Sequence, residues 1–211
     1  GINFPTRMAW APDGRLFVAE KGGAIRVISA DGKLQPEPLI VLDTNQEGEQ
    51  GLLGLAVDPA NGRVVVSNLD SRNDVRFENF LQGDKGVRGH IAESRLTVVD
   101  GTTPLSVHVN PHIDYTKPTG DLDEVAQSLA FPTDLVFSSD GALLYVAALG
   151  SGKVGVFDAA TLESGAGAPV ARIAVGAGPS GVVLDENRDQ LYVMNRVDHT
   201  VSVVADAGSP L

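Results

Sequence analysis

The chain has 211 residues, 43% apolar, 5% aromatic and 20% charged, and 16 Lys and Arg against 27 Asp and Glu leave a formal net charge of −11. That much apolar content excludes a disordered acidic tail, so acidic a surface repels nucleic-acid phosphates and anionic membranes, and the lack of any cysteine excludes disulfides, thiolate nucleophiles and cysteine-held zinc or iron. The most apolar stretch, residues 165–184, is broken by Pro169, Arg172 and Pro179, so no membrane span of about 18 apolar residues is predicted.

Four segments superimpose without gaps. The first, Phe4-Pro5-Thr6-Arg7-Met8-Ala9-Trp10, meets the turn Pro12-Asp13-Gly14 and is followed by strand-like residues 15–19, 24–29 and 38–42. The second, Gly51-Leu52-Leu53-Gly54-Leu55-Ala56-Val57, meets Asn61-Gly62 and is followed by residues 63–67, 94–99 and 106–109. The third, Phe131-Pro132-Thr133-Asp134-Leu135-Val136-Phe137, meets Asp140-Gly141 and is followed by residues 142–147, 153–157 and 171–175. The fourth, Gly178-Pro179-Ser180-Gly181-Val182-Val183-Leu184, meets Asn187-Arg188-Asp189 and is followed by residues 190–194 and 200–204. Asp-Gly and Asn-Gly tolerate the positive φ of tight hairpin turns, so each unit reads as strand, turn, strand. The fourth turn has no glycine, and Asn187 is the residue expected to take the left-handed conformation there. Trp10 is expected to pack within a sheet.

The copies start 47, 80 and 47 residues apart. Antiparallel units of this size are β-propeller blades, each burying its faces only against its neighbours; a sandwich needs no fourfold recurrence of one turn. The expected fold is therefore an all-β propeller of four blades with three to four strands each, forming one domain over residues 1–211. Its blades fall at about 4–42, 51–109, 131–175 and 178–206, with insertions at 68–93 and 100–130. No outer strand is legible in the last blade, and an open ring leaves apolar faces and edges in water. The chain is thus expected to be part of a longer propeller or a homo-oligomer. Its first residue, Gly1, is not Met, which predicts that an export signal or tag has been removed.

Two resemblances follow from these residues. Residues 1–59 resemble the soluble quinoprotein glucose/sorbosone dehydrogenases in Phe4-Pro5-Thr6, in Ala11-Pro12-Asp13-Gly14-Arg15-Leu16-Phe17-Val18-Ala19-Glu20, and above all in Gly48-Glu49-Gln50-Gly51-Leu52-Leu53-Gly54-Leu55-Ala56-Val57-Asp58-Pro59. Residues 68–204 are similar to bacterial exported propellers of the YVTN-repeat type in Arg88-Gly89-His90, His108-Val109-Asn110-Pro111-His112-Ile113-Asp114-Tyr115, Leu144-Tyr145-Val146-Ala147-Ala148 and Leu191-Tyr192-Val193-Met194-Asn195-Arg196. Together they imply a propeller exported to the periplasm or beyond. The first resemblance implies pyrroloquinoline quinone and calcium, with Glu49 placed near the quinone. That family's base is a histidine followed by paired glycines, a context that His90, His108, His112 and His199 all lack.

Three groups of side chains are candidate sites. His108, Asn110, His112 and Asp114 recur every second residue, which on one extended strand turns imidazoles, amide and carboxylate to one face for a divalent metal; Pro111 counts against a central strand, and structural hydrogen bonding is the alternative. Asn68, Asp70, Asn73, Asp74 and Glu78 bunch as oxygen ligands for calcium, without an EF-hand's spacing. Arg76, Arg88, His90 and Arg95 can hold a carboxylate or sugar acid, or pair with Glu78, Asp84 and Glu93 as ordinary ion pairs. The glycine pairs lie between strands and lack the context of a phosphate loop, and no Gly-x-Ser-x-Gly elbow leads into a helix. The expected function is a binding or scaffold domain for a small molecule or protein, with no nucleic acid and no complete catalytic set. The alternatives are a quinone- and calcium-dependent sugar dehydrogenase and a metal-dependent lactonase-like hydrolase.

Overall fold

All four repeat-opening residues sit in the left-handed region, Phe4 at φ 48°, Gly51 at 110°, Phe131 at 58° and Gly178 at 69°, in a computed structural model that describes residues 1–44, 51–71, 92–115 and 121–207. Glycine takes this conformation freely, whereas at the two phenylalanines it costs about 1–2 kcal/mol. The kink starts each inner strand, and in three of the four a β-bulge follows within two residues. The strain at Phe4 and Phe131 is therefore imposed by the architecture at a fixed repeat position.

Each copy then folds as an antiparallel meander in chain order. The first blade is β1 (Pro5–Trp10), β2 (Leu16–Glu20), β3 (Ala24–Ile28) and β4 (Ile40–Val41). The second is β5 (Gly54–Val57), β6 (Val64–Ser71), β7 (Ala92–Asp100) and β8 (Thr103–His108), and the third is β9 (Pro132–Phe137), β10 (Leu143–Ala148), β11 (Lys153–Asp158) and β12 (Ala171–Ala174). The fourth has, among the described residues, three strands, β13 (Pro179–Asp185), β14 (Gln190–Asn195) and β15 (Thr200–Ala205). The four sheets form a four-bladed β-propeller that hydrogen bonds do not close: β1, β5, β9 and β13 are each the first strand of a separate sheet.

The core is three interblade layers. Phe17, Ala19 and Ile25 of the first blade pack with Leu55, Val64 and Val66 of the second. Val65, Leu96 and Val107 of the second meet Leu135, Leu144 and Val146 of the third. Tyr145, Val154 and Val156 of the third meet Val182, Leu191 and Val193 of the fourth. Successive residues of β6 and β10 thus face different neighbours, which explains why Val64-Val65-Val66 and the β10 run are continuously apolar and not alternating. At the rim, Arg63 pairs with Asp100 at 3.1 Å and with Glu163 across the second interface.

Three local features depart from the sequence expectation. Trp10 is not packed within a sheet but is 68% exposed, because it lies on the face of the first blade that has no neighbour. In the fourth turn the left-handed residue is Asp189, φ 51°, not Asn187: the positive φ falls on the last loop position before β14, and aspartate tolerates it. The hairpin of β6 and β7 pairs as far as Ser71 with Ala92, so ladder residues occupy both ends of the expected 68–93 insertion. Two short helices, α1 (Leu122–Gln127) and α2 (Ala159–Glu163), also interrupt the strands. Asp121 and Glu124 form a reciprocal capping box on α1, and Asp158 caps α2 through Thr161 N at 2.7 Å.

A Cβ at residue 51 would lie 2.2 Å from the Lys21 carbonyl oxygen, in addition to forcing a positive φ. Gly51→Ala is expected to cost about 2 kcal/mol and to lower the thermal midpoint by about 4–8 °C, read by circular dichroism melting.

Candidate functional site

The four inner strands line one cavity of about 470 Å³. Its polar feature is made by the fourth residue of alternate copies. Arg7 in β1 forms an ion pair with Asp134 in β9, and the equivalent positions in β5 and β13 are Gly54 and Gly181. Asp134 lies in the bulge of its strand; one carboxylate oxygen accepts from the adjacent Leu135 N at 2.9 Å and the other from Val182 N in the fourth blade, also at 2.9 Å. Two amides and a guanidinium thus offset the cost of holding a carboxylate that is only 6% exposed. The acid ties three blades together.

Arg7 is 40% exposed, and a guanidinium has five donors in a planar fork, so it has capacity left for a ligand anion. Met8 and Trp10 from β1, Phe137 from β9 and Val183 from β13 supply apolar walls, and Ser138 and Ser139 add hydroxyls at one end. This chemistry suits a flat or apolar body carrying an anionic group. Neither Arg7 nor Asp134 was a sequence candidate. The legible signal was there all the same: opposite charges stand at one repeat position in copies one and three, and glycine at that position in copies two and four.

The described sequence candidates lie elsewhere, at the rim of the second blade. β8 ends at His108 and the chain turns at Pro111 and His112, so the spacing of two does not run along one strand. His108 Nε2 meets the Tyr115 hydroxyl at 2.9 Å, with the two rings edge to face. Asn110 is buried, donating to Leu129 O at 2.9 Å and accepting from Leu129 N at 2.7 Å. His112 Nε2 lies 3.1 Å from Glu124 O, and Asp114 is exposed, its backbone N–H donating to Glu124 Oε1 at 3.1 Å. Asp70 pairs with Arg95 at 2.9 Å, and Arg95 Nε also donates to Glu93 at 2.6 Å; Asn68 accepts from Thr97. Among the described residues no group of three or more His, Asp or Glu side chains is placed to hold a metal ion. Glu49, Asp74, Glu78, Arg76, Arg88 and His90 lie outside the described residues.

Residues 2–77 match the family model for glucose/sorbosone dehydrogenases. That span covers the first blade and the first two strands of the second. No curated protein matches the chain. Among solved structures, Kuenenia stuttgartiensis hydrazine synthase is similar at a TM-score of 0.61 and 15% identity, over 95% of this chain and 71% of that one. The Cps50 (Swd1) β-propeller domain of Myceliophteria thermophila is similar at a TM-score of 0.55 and 14% identity, over 90% of this chain and 49% of that one. At these identities the likeness is one of fold.

Burial, and after it the nearby negative charge of Glu93, pushes the Tyr115 phenol up to about 12 from the ordinary 10.0. A folded-state value above the unfolded one stabilises the fold below pH 10, and this contribution is lost as pH rises toward 12. Tyr115→Phe is therefore expected to shallow the fall of stability across that alkaline window, measured by urea unfolding at stepped pH.

Proposed function

We propose that the protein is an exported bacterial β-propeller that works as a binding scaffold, taking a small anionic ligand with an apolar or aromatic body in the channel between its inner strands. The observation that carries this reading is the half-exposed Arg7 guanidinium, held in place by buried Asp134 in a cavity that Met8, Trp10, Phe137 and Val183 also line. The motifs similar to YVTN-type propellers support placement in the periplasm or outside the cell. Arg76, Arg88 and His90 remain candidates for a second anion contact.

Trp10 is the single tryptophan of the chain and lines the channel, so at fixed protein concentration and salt its fluorescence reports on ligand bound beside β1. Titration with aromatic carboxylates such as benzoate and indole-3-acetate is expected to change Trp10 emission saturably, the matching neutral amides binding more weakly. Arg7→Gln is expected to weaken the carboxylates by about tenfold or more, the value of a charge-assisted hydrogen bond. Absence of any saturable response to the carboxylates would remove the channel from consideration.

The match over residues 2–77 favours a second reading, a quinone- and calcium-dependent sugar dehydrogenase. The described residues do not fit calcium: Asp70 is engaged by Arg95 and Asn68 by Thr97. Glu49, Asp74 and Glu78 carry what remains of that reading. Dye-linked glucose oxidation after addition of pyrroloquinoline quinone and Ca²⁺ separates the two: the scaffold reading expects no turnover, and turnover above the cofactor blank would favour the dehydrogenase.

A further inference from the structure

The two ends of the blade arc carry the two halves of one interblade joint. Moving 47 residues along the chain carries the third blade onto the fourth, so Ala147 maps to Met194, Val154 to Val201 and Val156 to Val203. In the third blade these positions are fully buried and belong to the layer shared with the fourth. In the fourth blade the same positions are 52%, 60% and 55% exposed. The outer face of the fourth blade is thus a second copy of a surface that already receives a blade.

The first blade has the matching half. Against the third blade, the fourth presents Val182 and Leu184, which pair across their sheet with Val193 and Leu191. The superposition that aligns Gly178 with Phe4 sets Met8 and Trp10 at these positions, and they pair with Val18 and Leu16. Met8 and Trp10 are 66% and 68% exposed. Single exposed apolar residues are ordinary, but two sheet faces of this kind, complementary in repeat position, mark an interaction surface.

We propose that a second copy of this chain covers both faces, the fourth blade of each copy seated on the first blade of the other about a two-fold axis. A second copy brings both halves of the joint, so two contacts satisfy four faces and leave none open. The product is a ring of eight blades, within the range of about 4–8 that propellers adopt. The joint is head to tail, and such joints give a closed ring when their rotation closes and a filament when it does not. With −11 on each chain, approach is opposed by like charge, so added salt strengthens this apolar association.

Light scattering coupled to size exclusion tests this on the full chain across a concentration series. The expected result is a species of twice the 22.0 kDa chain mass, with a dissociation constant that tightens from low to high salt. Met8→Asp and Val203→Asp change exposed side chains, so each is expected to keep the native circular dichroism while weakening the dimer about a hundredfold, since each places a charge in an apolar joint. Mixing the two variants is expected to restore a dimer through the one intact joint, because each retains the half that the other lost. A monomer at every concentration overturns the proposal, as does a dimer indifferent to both substitutions. Failure of the mixture to associate overturns the head-to-tail arrangement, since an interface between identical faces gives that result.

Discussion

A blade of this protein cannot bury itself. One antiparallel sheet has two faces, and the second and third blades are apolar on both, so their stability rests on a neighbour at each side. The burial is deep: Val64, Val65 and Val66 are at most 1% exposed although they face opposite ways. At about 1.5–3 kcal/mol for each fully buried aliphatic side chain, these layers are the main favourable term in the fold. The end blades each meet this condition on one face only.

Polar groups set the spacing between layers. Gly54 stands so close to the third blade that a Cβ there would lie 2.2 Å from Thr133 O. The Ser67 hydroxyl sits in that gap, donating to Thr133 O and accepting from Gly54 N at 2.8 Å. Asp134 does the same between the third and fourth blades through Val182 N. Alternation of glycine with charge at the fourth repeat position therefore serves two ends. Gly54 lets the second and third inner strands approach, and the charged residues reach across the axis where the approach leaves room.

The channel and the rim of the second blade differ in what their polar groups are free to do. At the rim, the described partners of His112 and Asn110 are backbone groups of the segment that leads to the third blade and those of Arg95 are carboxylates of the second blade, an arrangement that fixes the chain after β8. In the channel, Arg7 is half-open beside an apolar wall. Asn110 and Arg95, which look like ligands in sequence, are thus engaged within the fold, and a residue pair that looks unremarkable holds the more open site.

The sequence by itself determined the number of sheets, the order of their strands and the turn between the first two strands of each, because these depend on contacts local to a repeat: the period of side chains along a strand and the φ preference of Asp-Gly and Asn-Gly. It also held the short helix α1, whose Asp121 and Glu124 spell a capping box, though that signal is weak beside the strands around it. Only the tertiary structure decided which faces meet. Trp10 looked like core, since it belongs to an apolar run, but its exposure depends on whether another sheet stands opposite. The pairing of Arg7 with Asp134, 127 positions later, depends on four sheets converging on one axis, and no window of sequence shorter than three blades contains that geometry. Whether His108, Asn110, His112 and Asp114 share a face was decided by where β8 stops, a consequence of Pro111 and of the hydrogen bonds that Leu129 offers to Asn110.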